Sequence, residues 1–479
     1  MSHDAVVVGA GPNGLAAAIE LQRNGVSVLL LEANHTVGGA ARTEELTLPG
    51  FKHDVGSSVY PLGIGSPFFA SLPLAKHGLE WVHPDLPLAH PLDGGRAATL
   101  ERDLESTARA LGGDYAAYMR FVGDFVTEWP TFIEHVLDRP TRLPRAPRLM
   151  ARFGAVALSS TTKIGRRFKT EEGKALLAGN AAHSGVELEA AFGGAVATTL
   201  MAAGHAVGWP FPKGGAGALT SALASYFLSL GGTVETGRRV ASLDDLPGAK
   251  ATLLGLTNGQ IGHLAYDRLS PRKRANLAGW TYGQGAFKVD WALDGPIPWE
   301  NADVRRAGTV HVGGTFEDIR AAEWDVTRNK MNNRPFLLLA QHTVFDPSRA
   351  PEGKHTVWAY CHAPSRAQGE AGERFVLEAM EAQIERFAPG FRDLILGRAV
   401  HTPYQLETWN ENLRGGDPNG GALTINNVLS PARLSRRPWH LPLKNFYRCS
   451  ASAPPGGGVH GMVGYHAARA ALRDTFGVR

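Results

Sequence analysis

The sequence predicts an α/β fold of two units, one built on a parallel, Rossmann-like sheet and one on a mixed or antiparallel sheet with helices. Three observations carry this. The chain opens with an apolar strand, a glycine turn, a helix and a second apolar strand, from Asp4 to Glu32. Glycine turns followed by helical runs return near residue 214 and near residue 456. Between them lie strand-like runs punctuated by prolines, with a helical pattern of the kind that covers an antiparallel sheet.

The opening unit sets a phosphate site. Ala5 to Val8 is apolar at every residue, as in a strand buried on both faces. Gly9, Gly11 and Gly14 then permit a tight turn, close approach of backbone to a pyrophosphate and close helix–strand contact. Pro12 occupies the first turn, where a missing donor is not needed, and the amides from Pro12-Asn13-Gly14 onward point at the phosphate along the helix dipole. Gly25 ends the helix as a C-cap glycine does. Glu32 lies 18 residues beyond Gly14, the spacing of an acid that accepts ribose hydroxyls and repels a 2′-phosphate.

The next stretch, from Ala33 through Gly38 and Gly39 to Arg42 and Thr43, resembles the paired-glycine motif of the flavoprotein superfamily that contains amine oxidases and phytoene desaturases. The resemblance implies FAD, with Ala33, Gly38, Gly39, Arg42 and Thr43 on its ADP half. Most members carry arginine directly after the glycines. Here Ala40 stands in that place, and Arg42 is expected to supply the counter-charge to the pyrophosphate, the alternative being an ordinary surface arginine. Gly50 to Ser58 continues the pattern beside the flavin ring; His53 and Asp54 invite an acid–base role but read better as a hydrogen-bonded structural pair.

Composition narrows the class. A chain of 479 residues with 43% hydrophobic and 20% charged residues is long enough for two or three domains and ordinary for a globular protein. A net charge of +4 is too weak to indicate nucleic acid. Cys361 and Cys449, far apart, argue against disulfide exchange and metal clusters. The first residues lack the pattern of a signal peptide, so a cytoplasmic location is expected.

Further along, Leu79 to Leu100 reads as strands and turns, and Thr107 to Phe132 as one helix. Residues 139 to 169 hold nine Lys and Arg and no acid, with Leu143, Leu149, Met150 and Phe153 interleaved. That is either a face for an anionic membrane surface or a solvated one, and the prolines at 140, 144 and 147 favour an irregular loop. Residues 190 to 209 are uncharged but rich in Gly, Ala, Thr and His, the wall of a cavity more than a membrane span.

Residues 209 to 240 resemble the second flavin segment of phytoene desaturases, which makes Val240 the adenine contact. Gly285 to Leu293 is an alternating strand with one lysine; amine oxidases of this superfamily keep a lysine at a similar place, which gives Lys288 a catalytic role, against a surface lysine on an edge strand. From Val310 to Pro403 the pattern is strands with one helix, Gly372 to Phe387. In the last segment Gly457, Gly458, Val459 and Met462 correspond to the turn along the flavin ring, and His460 is the titratable group there that could move a proton, or merely bond backbone.

Taken together, residues 6 to 58, 210 to 240 and 445 to 472 resemble the phytoene desaturase-type FAD oxidoreductases, in the branch similar to pyridine nucleotide-disulphide oxidoreductase domain-containing proteins. The resemblance implies a discontinuous FAD-binding domain (1–78, 210–280, 420–479, of the glutathione-reductase type) and a substrate domain (79–209, 281–419), whose part at 105–209 is helical and a candidate to face a membrane. It implies hydride transfer from an apolar, isoprenoid- or lipid-like substrate to flavin N5, with oxygen or a quinone as electron acceptor. Amine oxidation is the alternative, and a flavin-bearing interaction factor the reading from another class. No second glycine-turn unit for NAD(P)H stands in mid-chain. A homo-oligomer and peripheral membrane contact remain compatible with these features.

Overall fold

The computed structural model describes residues 3–364 and 369–478. Two sheets organise it, as the α/β reading requires. Five parallel strands lie in the order Phe446–Arg448, Ala251–Leu254, Ala5–Val8, Val28–Leu31 and Thr233–Glu235. Seven strands form a mixed sheet in the order Ile395–His401, Gly285–Leu293, His355–Ala363, Leu337–Ala340, Ala307–Val312, Leu86–Leu92 and Arg96–Leu100. Only Ala307–Val312 and Leu86–Leu92 pair in parallel there; the other neighbours are antiparallel.

The glycines of the opening unit are required by close approach. A Cβ on Gly14 would stand 1.8 Å from the Gly9 carbonyl oxygen, so the helix Pro12–Arg23 can lie against the strand end only with hydrogen there. Gly25, at φ 79°, carries the chain out of that helix. The last helix, Met462–Thr475, packs on the first at similar range, since a Cβ on Gly464 would stand 1.8 Å from the Asn13 carbonyl oxygen.

Several local expectations change. The run from Thr107 to Phe132 is not one helix: it breaks at Gly112-Gly113 and at Trp129-Pro130 into Leu104–Ala110, Tyr115–Thr127 and Trp129–Val136. Pro147 starts a helix, Pro147–Ala157, because proline fits a first helical turn, so residues 139 to 169 are not a continuous irregular loop. The strand Gly285–Leu293 is buried along its whole length instead of alternating, since it runs inside the seven-stranded sheet. Elements that the sequence reading lacks include the strand Ala251–Leu254 and the helix Phe316–Thr327, whose Thr315 and Asp318 form a capping box. Gly193–Ala206 is a buried helix of 14 residues, and no helix among the described residues is long and apolar enough to cross a membrane.

Candidate functional site

The two sheets meet over one cavity of about 1720 Å³. That exceeds the roughly 300–1,000 Å³ of an ordinary small-molecule site, so it has room for a large ligand and a second molecule beside it. One end is backbone. Gly9, Gly11, Pro12, Asn13 and Gly14 line it, with Glu32, Ala33, Gly39 and Val240. The N–H groups of Asn13 and Gly14 have no acceptor among the described residues, and the helix they open has no side-chain cap. They are donors waiting for an anion at a helix N-terminus. Gly39 lies against Gly11, where a Cβ on Gly39 would come within 2.9 Å of the Gly11 Cα. The Glu32 carboxylate accepts from Ala10 N–H at 2.7 Å through Oε2, and from Asn34 N–H at 2.9 Å and Asn34 Nδ2 at 3.0 Å through Oε1.

Four residues of the expected cofactor set lie off the cavity wall. Gly38, at φ 127°, bonds Ala10 O through its N–H and makes the turn possible. Thr43 donates to Asp54 Oδ1 at 2.8 Å and accepts from Gly217 N–H at 3.0 Å, which ties two loops together. Met462 begins the last helix and donates its N–H to His460 Nδ1 at 3.0 Å. Arg42 lies over the Trp409 ring, 4.4 Å from its centroid, and 3.4 Å from Glu44. Displaced two residues from the usual place, its side chain runs to this stack instead of the wall. Among the cations that do line the cavity, Arg433 is buried beside Gly456 and has no acidic partner among the described residues; burial lowers it to about 10. Its sequence context, Ser-Pro-Ala-Arg-Leu-Ser-Arg-Arg, gives no sign of this.

Further in, Gly457, Gly458, Val459 and His460 form one wall, and Lys288, Trp358 and Tyr360 another. His460 is fully buried; burial holds it near 4, neutral, with Nδ1 bonded and Nε2 without a partner. Lys288 is buried and ion-paired with Asp290, two residues on along the same face. Burial pulls the Lys288 amine down, the carboxylate opposing it, and pushes Asp290 up to about 6. Asp290 went unnoticed in the sequence, although its place two residues beyond a strand lysine was the available signal. His53 and Asp54 are not bonded to each other. His53 meets Thr47 and Asp290, while Asp54 takes Arg349, Ser58, Thr43 and the Ala216 N–H. Burial would raise Asp54, but Arg349 and His342 outweigh it and hold the carboxyl at about 2.

Leu62, Met150, Phe153, Leu158, Val196 and Leu200 also line the cavity, from the helices Pro147–Ala157 and Gly193–Ala206 and the segments next to them, with His135, Asp138, Arg139 and Arg142 beside this aliphatic stretch. The arrangement can hold an anionic dinucleotide on backbone amides and present a greasy molecule to a buried lysine.

Comparison with known proteins agrees with this. A family described as NAD(P)-binding Rossmann-like domain matches residues 7–71. Pyridine nucleotide-disulfide oxidoreductase domain-containing protein 2 of Mus musculus is 28% identical, covering 98% of this chain and 94% of that protein. Phytoene dehydrogenase of Streptomyces griseus is 26% identical over 83% and 82%. Among solved structures, an oxidoreductase from Methanosarcina mazei superposes with TM-score 0.66 at 16% identity, over 98% of this chain and 100% of that one. A putrescine oxidase variant gives 0.66 at 14%, over 100% and 99%.

Proposed function

We propose that this chain, which is similar over most of its length to pyridine nucleotide-disulfide oxidoreductase domain-containing protein 2 and to a phytoene dehydrogenase, is an FAD-dependent dehydrogenase of an apolar, isoprenoid- or lipid-like substrate. The observation that carries this is the single cavity that joins unbonded helix-start amides at one end to an aliphatic stretch of its wall. The residues fit the cofactor. The glycine cradle leaves no Cβ in the way of a pyrophosphate, Glu32 stands at the ribose spacing, and Arg433 offers an uncompensated charge near the last glycine turn. Bound there, the flavin supplies a two-electron acceptor for hydride from the substrate.

This chain's own residues do the rest. Asn13 and Gly14 would donate to phosphate oxygens, Glu32 would accept from the ribose, and the Val240 backbone would meet the adenine. The turn Gly457–Val459 would hold the ring, and the dipole of the last helix, whose first residue Met462 lies off the cavity wall, would favour negative charge on it. The aliphatic wall excludes water and positions the substrate, and Lys288 faces it with an amine that can take up a proton. Lys288 also favours amine oxidation as the second reading, since the same amine stands at a similar place in the amine oxidases. The purified protein should be yellow, and FAD should raise its melting temperature. A colourless protein that FAD leaves unchanged would end this reading; anaerobic bleaching of the flavin by polyenes or by primary amines separates the two substrate classes.

A further inference from the structure

Lys288 does not end at Asp290. The carboxylate bridges two sides: Oδ2 holds the Lys288 amine, and Oδ1 faces His53 Nδ1 at 3.5 Å. On its other nitrogen His53 meets Thr47 Oγ1 at 2.8 Å, and Thr47 is half-exposed in the loop with exposed Glu45 and Leu48. A line of polar groups, broken at one contact, therefore runs from the cavity wall to the half-exposed Thr47. Lys288, Asp290 and His53 are 2% exposed or less.

The middle of this line is unfinished in a telling way. Asp290 Oδ1 and His53 Nδ1 are both buried and both without a hydrogen-bond partner, although they face each other. A static strut would close that gap, because a buried acceptor left unpaired costs about 1–3 kcal/mol. With the His53 ring proton on Nε2, donated to Thr47, its Nδ1 is a bare lone pair turned to a carboxylate oxygen. One proton on Asp290 satisfies both.

We propose that Lys288, Asp290, His53 and Thr47 form a path that carries protons from the cavity to solvent, with Lys288 as its cavity end and Asp290 and His53 acting through it. The inference rests on the oxidoreductase reading in one respect: each dehydrogenation leaves a proton in a closed cavity, and that proton must leave. The Lys288 amine binds it and passes one N–H proton to Asp290 Oδ2. The carboxyl group turns and delivers its proton to His53 Nδ1, while the Nε2 proton goes to Thr47 and the Thr47 hydroxyl proton to water. Each bond to hydrogen that forms is matched by one that breaks, and no electron changes hands.

Proton affinities along the path support it. Burial lowers the amine and raises the carboxyl to about 6, which brings donor and acceptor toward each other, while burial holds His53 near 3, so it passes a proton without keeping one. The charged and titratable groups facing this line are Asp54, Glu44, His342 and Arg349, with His401 from the neighbouring strand.

The test uses the flavin-loaded protein, without substrate, labelled with 15N-lysine. Exchange of the Lys288 amine protons with water should slow at least tenfold in His53→Gln and in Thr47→Val, with flavin absorbance and melting temperature held. In a second test, single-turnover reduction by the polyene or primary amine that bleaches the flavin, followed by a pH indicator, His53→Ala should release its proton at least tenfold late, and added imidazole should restore the rate. Unchanged exchange in both variants, or a delay that imidazole does not repair, overturns the path. If the protein takes no flavin, the functional reading fails while the path can still be judged from 15N-histidine spectra. An Nε2–H tautomer of His53 whose Nδ1 shift moves as Asp290 titrates near pH 6 supports it; an Nδ1–H permanently bonded to the carboxylate refutes it.

Discussion

The two sheets face one cavity with opposite chemistry. The five-stranded sheet carries no histidine and no buried ion pair on its strands; what it brings to the cavity is glycine turns and backbone amides. The seven-stranded sheet buries Lys288 and Asp290 as a pair, His311 against His183 at 2.8 Å, and His362 against Glu323 at 2.9 Å. Binding by backbone needs shape and leaves little to titrate. Chemistry by side chain needs charge in a dry place, and that place is held only while its partners stay together.

Acid should expose the difference most strongly. Burial holds His53, His183 and His342 near 3 and His90 near 4, each below its ordinary value of about 6.5. The unfolded chain therefore binds protons that the folded chain refuses; the stabilisation is complete above about pH 6.5 and falls as pH drops toward those folded values. His362 runs the other way, since Glu323 outweighs burial and raises it. A loss on the order of 1 kcal/mol per buried neutral histidine per pH unit is expected. Hydrogen exchange between pH 7 and pH 4 should open the strands of the seven-stranded sheet before Ala5–Val8; equal opening would erase the contrast.

Charge removal comes next. Lys288→Met leaves Asp290 buried and unpaired and should lower unfolding free energy by about 3–5 kcal/mol, while Lys288→Met with Asp290→Leu should recover most of it. Urea titration of both variants measures this. On the backbone side, Glu32→Ala should weaken FAD by about 1–3 kcal/mol, because ribose hydroxyls and the Ala10 and Asn34 amides all lose an acceptor. Unaltered affinity by flavin-fluorescence titration would take Glu32 out of the site.

The smallest effect is at the surface. Of the basic residues from 139 to 169, Arg142, Arg145 and Arg152 are paired with Glu134, Asp138 or Asp124, and Arg139 with the Arg436 carbonyl. Arg148, Lys163, Arg166, Arg167 and Lys169 make no ion pair among the described residues. If this face meets an anionic bilayer, each contributes about 1 kcal/mol, so exchanging the five for Gln should release the protein from anionic liposomes at low salt. Equal recovery in the supernatant would leave the face to solvent.

The same contrast explains what could be read from the sequence. Backbone function is written locally: strand, glycines, helix and acid occupy residues 5 to 32 and are recognisable without the rest of the chain. Side-chain function is written across distance. Resemblance gives Lys288 a catalytic role but not its partners at residues 53 and 290, and it sends Arg42 to the pyrophosphate, whereas the structure stacks it on Trp409. Helix boundaries went astray where proline starts one helix at 147 and opens another at 129–130, because the residue alone does not say which side of it is helical.

The packing of the last helix on the first also orders events during synthesis. Gly464 meets Asn13, and Phe446–Arg448 closes the parallel sheet beside Ala251–Leu254. All seven strands of the other sheet have left the ribosome by His401. The nascent chain can therefore complete its chemical half while the glycine turn at its start still lacks the helix that covers it, and must stay uncommitted for the longest time of any part of the molecule. Contacts that span so much sequence form late, so the nucleotide-binding half is the part most in need of shelter from aggregation before the final residues emerge.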